Sequence, residues 1–184
     1  MGRIVVTENI TLDGVIEADG GWFAPAGRSD VDESDQIAVV REQAAGSDGF
    51  LTGRVTFEQL RSFWPQQTDD ETGVRAHLDR VAKYVVSTTM ADPQWANSTV
   101  LGEIEEVAAL RERPGGDVVS TGSITLVQEL VRRGLVDEYR LFVFPVVLGR
   151  GRRLFPDGSG IPELRLLESQ PFRSGVVLLR YAPR

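Results

Sequence analysis

Twice in this chain a short apolar strand leads straight into a glycine-containing turn and then into a helix. In the first unit, Phe50 and Leu51 precede Gly53-Arg54-Val55-Thr56 and apolar residues at helical spacing. In the second unit, residues 117–120 precede Thr121-Gly122-Ser123 and an amphipathic helix that ends at Gly134. A helix between two strands returns the chain to the same end of a sheet, so this pattern predicts an α/β fold with a mainly parallel sheet.

The last third of the chain has a different pattern. Residues 139–147, 164–172 and 176–181 are rich in β-formers and show little helical periodicity. Antiparallel strands fit this stretch best, while residues 3–10 and 83–88 predict further strands and residues 104–113 predict a helix. We therefore expect one domain over residues 1–184, with a parallel sheet that ends in antiparallel strands.

Composition narrows the possible functions. With 27 acidic and 20 basic side chains the formal charge is -7, which disfavours general binding to nucleic acid. The chain has no Cys and one His, so disulfides and thiolate metal sites are excluded and no metal site is expected. No stretch resembles a signal peptide or a membrane span, so we expect a soluble cytoplasmic protein.

The two turns are candidate phosphate sites. In Gly53-Arg54-Val55-Thr56 and Thr121-Gly122-Ser123-Ile124, a glycine allows close approach to the backbone, and hydroxyls and free helix amides offer hydrogen-bond donors. Either turn alone is equally consistent with an ordinary strand-to-helix connection. Two such openings at one sheet edge would suit a dinucleotide, although the chain has neither a P-loop lysine nor a complete GxGxxG motif.

The order of five motifs resembles the dihydrofolate reductase-like family, in its RibD C-terminal-domain branch. The motifs are TLDGVIE, LTGRVTFE, KYVVSTT, GGDVVSTGSITL and VFPVVLGRGRRLF, and the similarity extends from about Arg3 to Tyr181. The resemblance implies a three-layer fold with an eight-stranded central sheet, NADPH bound across the strand ends, and hydride transfer to a small heterocycle.

The resemblance also implies roles for individual residues. Arg54 and Thr56 would meet cofactor phosphates, with Gly53 allowing close approach, while Ser87 and Thr88 would lie near the adenosine ribose and its 2'-phosphate. The backbones of Asn9 and Ile16 would hold the nicotinamide carboxamide. The pyrophosphate would be cradled by Thr121, Gly122, Ser123, Ile124 and Thr125.

Candidate substrate and catalytic residues come from the loop after the first strand and from two acids. Trp22 and Phe23 occupy the place of the mobile active-site loop and would exclude water, or would simply form a hydrophobic plug. Dihydrofolate reductase itself uses a carboxylate on the helix after this loop, and by this resemblance Asp35 is the acid nearest to that position. A solvent-facing charge at a helix start explains Asp35 as well. Glu8, on the first strand, would face substrate only if its side chain points into the cleft.

Two other features have two interpretations each. Asp13 belongs to a tight turn and is explained by turn chemistry as well as by catalysis. Arg150, Arg152 and Arg153 would either clamp a substrate phosphate or form a solvated basic loop.

These features predict an NADPH-dependent reductase of a small heterocycle such as a pterin or an aminopyrimidine. One alternative is the riboflavin-pathway reductase that acts on 5-amino-6-(5-phosphoribosylamino)uracil, and another is a noncatalytic NADP-binding sensor. The strand around Tyr139, Phe142 and Phe144 is apolar on both faces, which indicates a central strand or a subunit contact. We expect a homodimer and a small-molecule substrate as partners, without nucleic acid or membrane.

Overall fold

A computed structural model describes residues 2–23, 31–70, 72–158, 160 and 163–184. Within these residues an eight-stranded sheet has the order β4-β3-β2-β5-β1-β6-β8-β7. The strands are β1 Ile4–Thr11, β2 Ser47–Gly53, β3 Ala82–Val86, β4 Ser98–Leu101, β5 Asp117–Ser120, β6 Glu138–Phe144, β7 Leu164–Pro171 and β8 Val177–Pro183. The first six strands pair in parallel, whereas β8 pairs antiparallel with both β6 and β7.

In the described part of the chain, five α-helices lie on the two faces of this sheet. They are α1 Ser34–Ala45, α2 Arg54–Phe63, α3 Val74–Arg80, α4 Glu106–Ala109 and α5 Ile124–Arg132, with short 3-10 turns at Trp64–Gln66 and Leu110–Glu112. Helix α1 packs through Val39 and Val40 on Phe142 and Leu178, and α2 and α3 pack around Phe50. Helices α4 and α5 cover the opposite face, where the main hydrophobic core lies.

The three-layer α/β fold predicted from the sequence is confirmed, with differences at the end of one strand, in the form of one helix and in one strand that was not predicted. Strand β6 ends at Phe144 rather than at residue 147, because Pro145 has no N–H to donate to a neighbouring strand. The helix predicted over residues 104–113 is a single α-turn followed by a 3-10 turn. Strand β4 was not predicted, because it is a four-residue edge strand that begins with polar residues.

A network of charged side chains lies at the amino ends of the central strands. Glu138 is 0% exposed and accepts hydrogen bonds from Arg3, Arg140 and Arg180 at 2.6, 2.8 and 2.8 Å. Asp117 completes the network through Arg3 and Arg140. We call these five residues the amino-edge network; each carboxylate in it is paired with at least two guanidinium groups.

None of the helices in the described ranges is long and apolar enough to cross a lipid bilayer.

Candidate functional site

The two glycine-containing turns lie side by side at the carboxyl edge of the sheet. The backbone N–H of Gly53 donates to Ser123 Oγ at 2.9 Å, and the Thr52 and Ser123 hydroxyls are 2.8 Å apart. A Cβ atom added to Gly122 would lie 3.5 Å from the Thr56 side chain. The starts of α2 and α5 therefore form one continuous surface.

The backbone conformation of the second turn explains why a glycine is present at residue 122. Gly122 has φ +62° and Ser123 has φ +54°, so two successive residues adopt the left-handed conformation in which glycine is unstrained. Ser123 accepts this conformation while its hydroxyl bridges to the other turn.

Within the described residues, neither helix start is capped by a side chain. Gly53 is the N-cap of α2 and Ser123 is the N-cap of α5, and no described side chain makes a capping hydrogen bond at either start. The first amides of a helix have no partner within the helix and carry the positive end of its dipole. Two adjacent helix starts of this kind provide hydrogen-bond donors for two anionic groups.

Strand β1 separates from β5 next to these turns. The β1–β5 pairing ends at Val6 and Ser120, whereas the β1–β6 pairing continues to Thr11 and Phe144. Among the described residues, the backbone edge of residues 7–11 that faces β5 therefore has no strand partner. We call this opening the β1–β5 cleft; ligands of open α/β sheets commonly bind in such a crevice at the carboxyl ends of the strands.

The predicted phosphate-binding residues lie around these helix starts. Arg54 is the first residue of α2, and its side chain is 44% exposed and 3.0 Å from Glu58. Thr121 and Thr125 are exposed, and Ile124 is the first residue of α5.

The predicted ribose-binding residues follow the end of β3. The Ser87 hydroxyl accepts the backbone N–H groups of Thr89 and Met90 at 3.2 and 3.0 Å, so it holds its own turn, and Thr88 is exposed. Thr88 is therefore the more accessible of the two hydroxyls.

The residues predicted to hold the carboxamide are in different settings. Asn9 lies on β1 beyond the last pair with β5, so its backbone borders the β1–β5 cleft. The Ile16 N–H donates to the Arg152 carbonyl at 3.0 Å, which leaves the Ile16 carbonyl as the group able to accept a ligand hydrogen bond.

Trp22 and Phe23 cover the sheet on the side of α1. The Trp22 ring makes edge-to-face contacts with Phe23 and Phe144 at centroid distances of 5.3 and 5.5 Å, and its Nε1 donates to the Glu17 carbonyl at 2.8 Å. Residues 24–26 of the predicted active-site loop lie outside the described residues. The aromatic pair thus forms an apolar cover next to the end of β6.

Asp13 connects the first turn to the loop after β6. Its carboxylate accepts the Thr11 hydroxyl at 2.6 Å and the backbone amides of Leu148 and Gly149 at 3.2 and 2.8 Å. These hydrogen bonds, first that of Thr11 and then that of Gly149, lower the pKa of Asp13 to about 2. The geometry supports the turn interpretation of this residue.

The arginines of the same loop are mostly engaged within the protein. Arg152 forms an ion pair with Glu17 at 2.7 Å, and Arg153 donates to the Asp13 carbonyl at 3.0 Å. Arg150 is exposed and lines a cavity of about 410 Å³ together with Trp22 and Leu148. One arginine of the three is thus placed to meet an external anion.

The two candidate acids lie on opposite faces of the sheet. Side chains alternate along a strand, so Glu8 shares the face of Ile4 and Val6, which pack under α4 and α5. Asp35 is on α1, where its carboxylate accepts the backbone amides of Gln36 and Arg173. The structure therefore does not bring the two acids together, and only Asp35 is on the face that Trp22 covers.

Glu8 is 4% exposed, and its Oε1 has no hydrogen-bond partner among the described residues. Burial raises the pKa of Glu8 well above its usual value, and the nearby backbone N–H of Gly122 offsets this only in part. Burial therefore favours the neutral form of this carboxyl group over the ionised form.

Three parts of the site were not predicted from the sequence: the Thr52 hydroxyl, the β1–β5 cleft and the hydrogen bonds of Asp13 to the loop after β6. The point where two strands stop pairing has no local sequence pattern. The same is true of the contact between Asp13 and Leu148, which are 135 residues apart in the sequence. Thr52 directly precedes Gly53, so a search for hydroxyls before the turn glycine would have found it.

Comparison with known proteins agrees with the family resemblance of the five sequence motifs. The RibD C-terminal domain family matches residues 3–178. The Bacillus subtilis protein YyaP is 33% identical over 97% of this chain and 94% of its own length.

Two solved structures share the fold. A proposed riboflavin biosynthesis protein from Shewanella sp. PV-4 is 20% identical, with a TM-score of 0.70 and coverage of 99% of both chains. The diaminohydroxyphosphoribosylaminopyrimidine deaminase/5-amino-6-(5-phosphoribosylamino)uracil reductase of Thermotoga maritima is 17% identical, with a TM-score of 0.65, and the match covers all of this chain and 57% of that one.

Proposed function

Because the chain belongs to the RibD C-terminal domain family, we propose that it is an NADPH-dependent reductase of a small heterocycle such as a pterin or an aminopyrimidine. The observation that carries this proposal is the pair of uncapped helix starts, joined through Ser123, next to the β1–β5 cleft. A dinucleotide needs two anion sites and a slot for a planar ring, and these three features lie at one edge of the sheet.

The residues present fit the phosphates of this cofactor. The first amides of α2 and α5 would hold the phosphate oxygens, and Gly122 keeps the approach to the backbone free of a side chain. Arg54 is accessible and would add a charged hydrogen bond, for which its exposed pair with Glu58 competes only weakly. Thr88 would serve the 2'-phosphate that distinguishes NADPH from NADH.

Reduced nicotinamide, when bound, supplies a hydride. The chain itself has to orient the two rings and exclude water. The backbones of Asn9 and Ile16 would fix the carboxamide. Trp22 and Phe23 would shield the substrate on the α1 face, where the Trp22 ring contacts both Phe23 and Phe144.

For the proton that accompanies the hydride, we favour Asp35 over Glu8, because Asp35 lies on the face that Trp22 covers. Asp35→Asn should then lower kcat with little change in the Kd for NADPH. An unchanged kcat would remove Asp35 from the mechanism.

The test is binding followed by turnover. NADPH at a hundred times its Kd should stabilise the protein by about 2.7 kcal/mol in thermal unfolding, and NADH should stabilise it less at the same concentration. NADPH oxidation is then measured with a panel of pterins, quinones and aminopyrimidines. Absence of NADPH binding would refute the proposal.

The same experiment separates the alternatives. Tight binding without turnover on any substrate would indicate a noncatalytic sensor, and turnover confined to the phosphoribosylaminouracil would indicate the riboflavin-pathway reaction. The arginine loop gives little support to a phosphate clamp for that substrate, because Arg152 and Arg153 are hydrogen-bonded within the protein.

We also propose that the protein is a homodimer in which a second copy covers β7. This strand is at the edge of the sheet, and its Leu166 and Leu167 side chains are 51% and 39% exposed. Light scattering should give twice the chain mass, and Leu166→Lys should shift the mass toward the monomer. A monomeric wild-type protein would contradict this proposal.

A further inference from the structure

The most unusual group outside the proposed chemistry is the buried carboxyl of Glu8. It sits on β1 two residues beyond Val6, the last residue of β1 that pairs with β5. Its side chain points to the α5 side of the sheet, where the backbone N–H of Gly122 lies against it. Glu8 thus lies directly under the second phosphate-binding turn, at the base of the β1–β5 cleft.

The surroundings of Glu8 provide no charge to balance an ionised carboxylate. Its neighbour on β6 is Leu141, and on the α5 side the backbone N–H of Gly122 lies against it. On β5 the Ser120 hydroxyl is 0% exposed and, like Glu8 Oε1, has no hydrogen-bond partner among the described residues. No charged side chain contributes to the pKa of Glu8 in the described part of the chain, where burial and the Gly122 amide account for it.

An unpartnered carboxyl oxygen that is almost fully buried is costly, and nothing in the packing of β1 requires an acid at this position. Ile4, Val6 and Ile10 fill the same face with apolar side chains. The Gly122 amide is what Glu8 contacts, and this amide belongs to the turn whose two left-handed residues set the start of α5.

We propose that Glu8 is a positioning residue of the dinucleotide site, an inference that rests on the proposed function. Its neutral carboxyl holds the Gly122 amide, and loss of its proton places a negative charge beneath the phosphate-binding turn and weakens the binding of NADPH.

Electrostatics gives the direction in which NADPH affinity changes with pH. Below its pKa the Glu8 carboxyl is uncharged and accepts the Gly122 N–H without repelling a phosphate. Above its pKa a carboxylate lies close to bound phosphate in a region of low dielectric, where like charges repel strongly. NADPH affinity should therefore fall as pH rises through the pKa of Glu8, up to tenfold for each pH unit in the range where one proton is coupled to binding.

The test compares the wild-type protein with Glu8→Gln and with Glu163→Gln, an exposed control distant in sequence from the turn. The Kd for NADPH is measured by fluorescence titration from about pH 5 to pH 10. Glutamine keeps an oxygen that accepts the Gly122 N–H but cannot ionise, so we expect wild-type affinity at low pH and a higher affinity than wild type at high pH. Ionisation of the cofactor itself affects all three proteins equally, and Glu163→Gln should follow the wild-type curve.

A third variant tests the hydrogen bond. Glu8→Ala removes the acceptor and should raise the Kd about fivefold at low pH, where the wild-type carboxyl is neutral. An affinity equal to that of the wild type would show that the Gly122 amide does not depend on Glu8.

A second readout needs no cofactor. Because the pKa of Glu8 is raised in the folded protein, the wild-type chain should lose stability relative to Glu8→Gln as pH rises above about 4.3, until the folded-state pKa is passed. Urea unfolding of both proteins over the same pH range measures this difference. An infrared band of a protonated carboxyl at neutral pH, absent in Glu8→Gln, identifies the proton directly.

The outcomes separate the two proposals. If the wild-type protein fails to bind NADPH at every pH, the proposed function fails and this inference fails with it. If NADPH binds but the wild-type and Glu8→Gln curves are parallel over the whole range, the role of Glu8 is refuted while the cofactor assignment stands. Curves that diverge with rising pH support both.

Discussion

The two edges of the central sheet differ in whether their buried polar groups have hydrogen-bond partners. At the amino edge, Glu138 and Asp117 are surrounded by Arg3, Arg140 and Arg180, and every carboxylate in the amino-edge network is paired. At the carboxyl edge, Glu8 Oε1 has no partner among the described residues, and the starts of α2 and α5 are uncapped.

This difference distinguishes a structural arrangement from a binding site. Polar groups that are already hydrogen-bonded to one another form no additional hydrogen bonds when a ligand binds. The free amides of an uncapped helix start do form hydrogen bonds when an anion binds. Substitutions at the amino edge should therefore have the larger effect on folding stability, and substitutions at the helix starts of the carboxyl edge should also change ligand affinity.

The largest effect is expected at Glu138. Burial alone would raise the pKa of this carboxyl, but hydrogen bonds from Arg180 and Arg140 outweigh burial and lower it. Glu138→Gln removes the shared anion and leaves buried guanidinium charge, which should lower the free energy of unfolding by about 3–5 kcal/mol in urea. The matched control Glu163→Gln, which breaks an exposed pair with Arg184, should cost less than about 1 kcal/mol. If both variants lost the same free energy of unfolding, the amino-edge network would contribute no more to stability than an exposed ion pair does.

The next effect concerns binding at the carboxyl edge. Arg54→Ala should weaken NADPH binding by about 1.5–3 kcal/mol, because a charged hydrogen bond to phosphate is lost. The free energy of unfolding should stay nearly constant, since the ion pair that Arg54 forms with Glu58 is exposed and joins residues one helical turn apart. Arg132→Ala, at the other end of α5, is the control for loss of positive charge. Isothermal titration gives the Kd values, and an unchanged affinity for Arg54→Ala would reject the phosphate contact.

A smaller effect is expected where the two turns meet. Ser123→Ala removes the hydroxyl that accepts the Gly53 amide and should cost about 1 kcal/mol of stability. Ser123→Gly loses the same hydroxyl but adopts the positive φ of this position without strain, so it should be destabilised less than Ser123→Ala. Both variants should also bind NADPH more weakly, as titration would show. If both variants bind NADPH like the wild type, the bridge between the turns does not set the site.

The smallest effect is a change in acid stability at Asp13. Since the Thr11 hydroxyl and then the Gly149 amide lower the pKa of Asp13 to about 2, its contribution is present above about pH 4 and is lost as pH falls toward 2. Asp13→Asn should show a weaker loss of stability over this range, measured as the urea midpoint between about pH 2 and pH 6. The sign is opposite to that expected for Glu8, so the pair tests whether a satisfied and an unsatisfied carboxyl at one edge behave differently. A wild-type-like acid profile for Asp13→Asn would contradict the hydrogen-bond account.

Local patterns were sufficient for the elements and for most of the candidate site. Apolar runs of period two and helical spacing located β1, β2, β5 and α5 to within a few residues, because burial of one face requires those periods. Glycines at residues 53 and 122 marked the turns, since only a small residue allows the backbone to be approached closely. The short edge strand β4 was missed because four residues with a polar start carry little periodic signal.

Local residue patterns were therefore enough to predict the α/β class, the parallel order of strand and helix units, and the glycine and hydroxyl chemistry at two helix starts. Which polar groups contact one another was established by the tertiary structure. It joined Ser123 to Gly53, placed Glu8 under Gly122 and Asp35 on the opposite face, and ended the β1–β5 pairing at Val6. Propensity and periodicity act over a few neighbouring residues, whereas these contacts depend on register and packing between segments far apart in the chain.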